Sequence, residues 1–312
     1  METQKNMFNQ DNQNTRLQEH LKPFTTELPQ DLLHDLICSL VSVYWSNVEL
    51  EGQPLPRIIS NLTGIAPGAE LDTLVARFLF TDIKNQCLTH AWRVAGLNSV
   101  KSLIRCPDVE RFQEIMRCGR PAVFVFNHYG PLYAVGPAFQ HIGVPVAIFQ
   151  GRLRPPLITE EADQFAGQLP GMEYYWINDP STNRAVLLKR AVERLQRGEF
   201  VAIAIDAGNG ELLTEAEFFG HRIKVARGPA ILARLTGAPL IPITMTWGEG
   251  WSIDFRIHDP VAKPENLPAN SGEFDEALTH NAMRFFDNFI RNAPEQLRLD
   301  RLARLITSPK VI

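Results

Sequence analysis

Two short, unbroken apolar segments constrain the fold of this chain more than any other feature. The first is Ala122–Phe126 (AVFVF) and the second is Phe200–Ile205 (FVAIAI). Apolar runs of this length without polar alternation are typical of strands that lie in a parallel sheet covered by helices on both faces. They predict the α/β class, with a mixed, mostly parallel sheet flanked by helices and an N-terminal helical addition.

Both apolar segments lead directly into residues that can carry chemistry. Asn127 and His128 follow the first segment, and Asp206 follows the second. In open α/β sheets the ligand site lies beyond the carboxyl ends of the strands. We therefore interpret His128 as a general base near neutral pH, with Asp206 nearby. The alternative is a histidine that only caps the turn before the next helix.

A basic segment further along the chain predicts a binding site. Lys224, Arg227 and Gly228 follow a linker that contains Phe218-Phe219-Gly220, and a helical pattern begins at Pro229. A helix that opens with Gly-Pro exposes unpaired backbone N–H groups, and the positive end of its dipole attracts anions. Together with two cations, this helix start is predicted to bind a phosphate or the arm of a thioester.

The order of these segments resembles the bacterial lipid A biosynthesis acyltransferases, a branch of the lysophospholipid acyltransferase superfamily. The resemblance covers about residues 100 to 250, and Phe218–Pro242 is its most specific part. It implies an acyltransferase without a cofactor that takes its acyl group from an acyl-carrier protein or acyl-CoA. The acceptor would be a hydroxyl or amine on a small molecule or on a carrier-tethered group.

The resemblance also implies roles for individual residues. His128 would be the general base, and Asn127 would contact substrate. Backbone N–H groups at Gly130 or Gly228 are predicted to stabilise the oxyanion of the transition state.

Tyr133 departs from the pattern of the family. An acidic residue that orients the imidazole is expected there, separated from His128 by four residues, whereas this chain has a phenol. A phenol is neutral at pH 7, so it can offer one hydrogen bond but no charge. Tyr133 is predicted to orient the His128 ring. Asp206, a carboxylate from another part of the chain, could orient the ring instead, and Glu249 is a weaker candidate for the same role.

Two arginines follow the predicted strand Val144–Phe149. The family has an arginine just after the corresponding strand that contacts acidic groups of the substrate. Arg152 and Arg154 both lie near that position, and either could fill the role. The alternative is that both are solvated surface residues.

Composition narrows the function classes. The chain has 312 residues and a formal net charge of −4, with no dense run of lysine and arginine, so a nucleic-acid partner is not expected. The four cysteines lie far apart and are predicted to be reduced thiols rather than zinc ligands.

The predicted organisation has three parts: residues 1–24 form a disordered tail, residues 25–100 a helical region, and residues 101–312 the acyltransferase-like α/β domain. No apolar window approaches the roughly 20 residues needed to cross a bilayer, so we expect a cytoplasmic protein with at most peripheral membrane contact.

Two other functions fit the same residues. A non-catalytic protein that binds an acyl carrier or an acyl group is favoured by Tyr133. A thioesterase would use the same site with water in place of the acceptor.

Overall fold

The computed structural model describes residues 49–50, 52–95, 100–150, 172–177, 183–207 and 212–309. The predicted disordered tail (1–24) and the predicted site residues Arg152 and Arg154 lie outside these described ranges.

Strands and helices alternate along most of the described chain. The strands are β1 (Glu49–Leu50), β2 (Gln53–Pro54), β3 (Ile104–Arg105), β4 (Ala122–Phe126), β5 (Val146–Gln150), β6 (Met172–Trp176), β7 (Phe200–Ala204), β8 (Leu213–Phe218), β9 (His221–Ala226), β10 (Leu240–Trp247) and β11 (Ile253–Ile257). The helices are α1 (Leu55–Thr63), α2 (Ala69–Ala95), α3 (Val109–Arg117), α4 (Val135–His141), α5 (Arg184–Gln196), α6 (Gly228–Thr236), α7 (Gly272–Ile290) and α8 (Leu299–Ile306). Short 3₁₀ turns at Leu132–Ala134 and Pro294–Gln296 precede α4 and α8.

A seven-stranded sheet in the order β3-β11-β10-β4-β7-β5-β6 forms the centre of the molecule. The five strands β10, β4, β7, β5 and β6 are parallel, β11 is antiparallel to β10, and β3 is parallel to β11. The predicted mixed, mostly parallel α/β sheet is therefore confirmed. β11 is an internal strand, because β3 pairs with it on its outer side.

The apolar runs form β4 and β7 because both strands are covered on both faces. All five residues of each strand are buried. The ring of Phe124 in β4 lies 5.8 Å from Phe112 of α3, 5.3 Å from Phe139 of α4 and 5.7 Å from Phe200 of β7, measured between centroids. Burying one such phenylalanine stabilises the fold by about 1.5–3 kcal/mol. This packing fixes the two strand ends that carry the candidate site.

The predicted linker around Phe218-Phe219-Gly220 is the turn of a β-hairpin formed by β8 and β9. Phe219 and Gly220 both have positive φ, 51° and 72°, as in type I′ hairpin turns. The Phe219 N–H donates to Oδ1 of Asp287 (2.7 Å), and the guanidinium carbon of Arg291 lies 4.6 Å from the Phe219 ring centroid. The tip is thus docked on α7, and these tertiary contacts hold a bulky residue in a conformation that sequence patterns assign to Asn or Gly.

Lys84 joins α2 to the turn between β10 and β11. Its ammonium donates to the Gly250 carbonyl (2.5 Å) and lies 4.2 Å from the ring centroid of Trp247 and 5.3 Å from that of Trp251. Burial lowers the pKa of Lys84 to about 8.

Within the described ranges, no helix combines the length and apolar character needed to span a bilayer.

Candidate active site

His128 and Asp206 emerge side by side from adjacent parallel strands. Phe126 at the end of β4 is in register with Ala204 at the end of β7. The pairing continues one residue further, because the Ile205 N–H donates to the Phe126 carbonyl (2.9 Å). The Asp206 side chain therefore reaches the imidazole, with Oδ1 at 2.7 Å from Nδ1 of His128.

The backbone of His128 strengthens this contact. Its N–H lies 3.3 and 3.2 Å from Oδ1 and Oδ2 of Asp206. The Asp206 side chain is 5% exposed and that of His128 is 19% exposed. An ionised carboxylate only accepts hydrogen bonds, so the hydrogen-bond network assigns the proton of a neutral ring to Nδ1. Nε2 then carries the lone pair and is the atom that can take a proton from a substrate.

The charge of Asp206 is set by opposing effects. Burial by itself raises the pKa of this carboxyl, but the positive charges of His128 and Arg301 and the hydrogen bonds from His128 outweigh burial and hold the pKa well below its usual range. Nε of Arg301 lies 3.8 Å from Oδ2 of Asp206. The carboxylate is therefore ionised at neutral pH and can stabilise a protonated imidazole.

Two arginines that sequence reasoning missed, Arg301 and Arg304, lie against Asp206. Arg304 donates through Nη1 to the Asp206 carbonyl (2.7 Å) and through Nη2 to the Lys224 carbonyl. Arg298, Arg301 and Arg304 recur every third residue at the start of α8 and within it, a spacing that puts side chains on one helix face. That spacing was the available signal, although it does not reveal which site the face contacts.

Tyr133 does not take the position predicted for it. It lies in the 3₁₀ turn Leu132–Ala134, and its ring is covered by the guanidinium of Arg298. Among the described residues no hydrogen bond joins Tyr133 to His128, and Nδ1 of the ring contacts Asp206 instead. The displaced carboxylate considered from the sequence is thus the group that the structure brings to the imidazole.

Gly130 lies where the loop after β4 packs tightly against β10. Its N–H, one of the two backbone donors considered for the oxyanion, is donated to the Gln296 carbonyl (2.8 Å). Its φ is +59°, and a Cβ at this position would overlap the backbone carbonyl of Met245 in β10. Only glycine lets the loop after β4 pass this close to β10.

Asn127 lies in an apolar setting beside the site. It is 5% exposed, and neither its side-chain nitrogen nor its side-chain oxygen has a hydrogen-bond partner among the described residues. The side chain borders a small cavity that Leu132, Met245 and Phe286 also line. His128 is not part of that lining, so the structure does not bring Asn127 and the imidazole to one surface.

The predicted basic segment lies at the same end of the sheet, beside the carboxyl end of β7. The Ala226 N–H donates to the Ile205 carbonyl (2.9 Å), so Arg227 and Gly228, where α6 begins, lie next to the end of β7. Nη1 of Arg227 is ion-paired with Oε1 of Glu276 at 3.0 Å. Lys224 is exposed on β9.

Comparison with known proteins matches this sheet and its strand-end residues to one family. A family model described as bacterial lipid A biosynthesis acyltransferase matches residues 90–299, about two thirds of the chain. The match includes His128, Asp206 and the basic segment, and it ends at the first residue of α8. A search of curated proteins found no match.

Proposed function

This chain belongs to the bacterial lipid A biosynthesis acyltransferases, and from that membership we propose that it moves an acyl group from a thioester donor to a hydroxyl or amine with His128 as general base. The observation that carries this proposal is the 2.7 Å contact between Nδ1 of His128 and Oδ1 of Asp206. It leaves Nε2 as the basic nitrogen of a ring that is 19% exposed and accessible to substrate.

The proposed reaction is a direct transfer. Nε2 of His128 takes the proton of the acceptor O–H or N–H while the acceptor oxygen or nitrogen attacks the thioester carbonyl carbon. The tetrahedral intermediate then collapses, the C–S bond breaks, and the leaving thiolate takes the proton from the imidazolium. The products are the acylated acceptor and the free thiol of the donor, and the histidine returns to its neutral form.

Asp206 supports both halves of this cycle. Its carboxylate fixes the tautomer that presents the Nε2 lone pair, and its negative charge stabilises the imidazolium after proton uptake. The low pKa of Asp206 keeps that charge in place at any pH where the ring is neutral. Gly228 is the remaining backbone donor that we propose for the oxyanion.

The donor is proposed to bind at the basic segment. Acyl-carrier protein and acyl-CoA both present their thioester on a phosphate-bearing arm. The start of α6 offers backbone N–H groups, and Arg227 and Lys224 add positive charge beside it. The hydrogen bond from Ala226 to Ile205 holds this segment next to the strand that carries Asp206, which supports a donor path ending at the imidazole.

Mass spectrometry of reaction mixtures tests the function directly. The parent protein is incubated with an acyl-carrier-protein thioester or acyl-CoA, with and without candidate acceptors, beside His128→Ala and the control His280→Ala, an exposed histidine of α7. We expect acylated acceptor from the parent and the control, and a loss of about 10²- to 10⁴-fold in His128→Ala. Free acid would identify a thioesterase, and an intact donor that remains bound would identify a binding protein. Equal rates for His128→Ala and the parent would overturn the assignment of the base.

A further inference from the structure

We propose that Arg301 and Arg304 of α8 are positioning residues for the His128–Asp206 pair. Arg304 would fix the backbone of Asp206, and Arg301 would set the charge around its carboxylate. This inference rests on the proposed function in one respect only, namely that the pair serves catalysis. Family membership does not assign these roles, because the family match ends at residue 299.

The pair needs support from outside its own strands. His128 and Asp206 are 78 residues apart in sequence and come from different strand ends. Asp206 lies one residue beyond the last backbone hydrogen bond that ties its segment to β4. Whatever fixes the backbone at this position therefore fixes the distance between the carboxylate and the imidazole.

Arg304 fixes that backbone by bridging two carbonyl groups. Nη1 donates to the Asp206 carbonyl (2.7 Å) and Nη2 to the Lys224 carbonyl, so one guanidinium joins the second residue after β7 to β9. The planar fork of an arginine suits two acceptors at once, whereas the ammonium of a lysine is a single compact charge.

Arg301 acts on charge rather than on backbone position. Its Nε lies 3.8 Å from Oδ2 of Asp206, and the two side chains are 21% and 5% exposed. Among the described residues, the charged groups that face the carboxylate are His128 from the loop after β4 and Arg301 and Arg304 from α8. Exposed Lys224 lies on neighbouring β9. A cation at this position stabilises the buried carboxylate and opposes a second positive charge on the imidazole. Arg301 therefore keeps the carboxylate ionised and favours the neutral, basic form of the ring.

α8 is anchored firmly enough to act as a reference for the pair. The Arg222 N–H donates to the Pro309 carbonyl (2.8 Å), and Nδ1 of His221 lies 3.1 Å from the Ser308 carbonyl. Before the helix, the Gln296 side chain accepts from the Trp247 N–H (2.6 Å). These contacts attach α8 to the hairpin on one side and to β10 on the other.

The decisive experiment follows the titration of His128 by NMR in ¹⁵N-histidine-labelled protein, with the resonance assigned by its loss in His128→Gln. Arg301→Gln removes a charge, so we expect the titration midpoint to rise by about half a pH unit to one unit. Arg304→Lys keeps the charge but removes the pair of hydrogen bonds to the Asp206 and Lys224 carbonyls. We therefore expect the His128 midpoint to fall by a few tenths of a pH unit and the population of the Nδ1–H tautomer to decrease.

The matched control is Arg234→Gln. Arg234 pairs with Asp275 away from the site, and its side-chain exposures of 22% and 5% are almost those of the Arg301–Asp206 pair. We expect this variant to lose stability without moving the His128 midpoint. A general loss of packing would move the midpoints of Arg301→Gln and Arg304→Lys in the same direction, so opposite shifts identify the two positioning roles.

The outcomes separate this inference from the proposed function. Midpoints equal to the parent's in both variants would overturn the inference, whatever the rates are. Shifted midpoints together with unchanged acyl transfer would uphold the positioning roles and count against His128 as the base. If Arg301→Gln does not fold, Arg301→Met replaces it as the charge-free variant, and the conservative Arg304→Lys tests the backbone bridge independently.

Discussion

The guanidinium carbon of Arg298 lies 5.3 Å from the ring centroid of Tyr133. Tyr133 occupies the position where the resemblance to the family predicts a carboxylate that orients the catalytic imidazole. In this chain the residue binds a cation through its aromatic face, and the carboxylate at the imidazole comes from Asp206 on the neighbouring strand end. The charged partner of His128 is therefore present but is supplied from another part of the sequence.

This arrangement predicts that Tyr133→Phe keeps turnover within about twofold of the parent, because the phenylalanine ring still covers Arg298 and no hydrogen bond to His128 is lost. Tyr133→Leu, which removes the ring, should destabilise the fold by about 0.5–1 kcal/mol in addition to any change in packing. Steady-state rates and urea unfolding measure the two effects. A tenfold or greater loss in Tyr133→Phe would mean that the hydroxyl contacts the substrate.

Asp206→Asn should lower turnover by about 10²-fold or more while leaving a group that can still accept a hydrogen bond from the ring. The expected loss arises because the neutral amide cannot stabilise the imidazolium. The stability that the Asp206 carboxylate gives to the parent should also depend on pH in a defined way. The folded-state pKa of Asp206 lies below the ordinary value of 3.8, so the carboxylate's contribution to stability is fully present above about pH 5 and is lost as the pH falls through and below 3.8.

Urea unfolding from pH 7 to pH 3 checks this dependence. The difference in unfolding free energy between the parent and Asp206→Asn should shrink as the pH falls from about 5 to 3. A difference that is the same at pH 3 and pH 5 would contradict an ionised, stabilising carboxylate.

Arg227→Glu should raise the KM for the thioester donor by about tenfold or more and change kcat much less. The substituted side chain would repel a phosphate at the start of α6 and would also lie beside Glu276. Arg284→Glu, a charge reversal at an exposed position of α7, is the control. Should the KM for the acceptor rise instead, the two substrates would have to be exchanged between their proposed sites.

Lys84→Met should be at least as stable as the parent at pH 7 and more stable by up to about 1–3 kcal/mol. Burial places the folded-state pKa of Lys84 at about 8, below the ordinary 10.5, so the buried ammonium opposes folding at neutral pH. This cost declines as the pH rises from about 8 to 10.5, because the folded lysine then loses its proton before the unfolded one does. Urea unfolding at pH 7 and pH 10 should show that the unfolding free energy of the parent rises relative to that of Lys84→Met. If the advantage of Lys84→Met grows with pH instead, the lowered pKa of Lys84 is refuted.

Gly130→Ala should destabilise the protein by about 3 kcal/mol or more, since the new Cβ would overlap the Met245 carbonyl in addition to adopting a positive φ. Gly143→Ala is the matched control. Gly143 also has a positive φ, 72°, but a Cβ there meets no atom within 4 Å, so only about 1 kcal/mol is expected. Thermal unfolding of the two variants separates the overlap from the backbone strain.

Local sequence patterns predicted the two neighbouring strands that carry the candidate site. β4 was predicted with its observed bounds and β7 with one residue too many, because an unbroken apolar run has few alternatives once both its faces are buried. The start of α6 was predicted to within a residue from its Gly-Pro signal. The β8–β9 hairpin was missed, because its turn carries phenylalanine at positive φ and depends on contacts with α7.

The candidate site was predictable only in part. The ends of the predicted strands indicated His128 and Asp206 as site residues. Their contact depends on β4 and β7 being neighbours, and the sequence of neither strand predicts the strand order of the sheet. The contact of Arg304 with Asp206 joins residues 98 positions apart and follows from how α8 packs, so no local pattern could reveal it.

The separation of these residues along the chain also sets an order of events during protein synthesis. When the ribosome has added Asp206, both members of the His128–Asp206 pair exist. Arg304, whose guanidinium bridges Asp206 and Lys224, is added only 98 residues later. A nascent chain can therefore form β4 and β7 well before Arg304 can fix the position of the Asp206 carboxylate relative to the His128 imidazole. The growing polypeptide should remain without activity until α8 has left the exit tunnel.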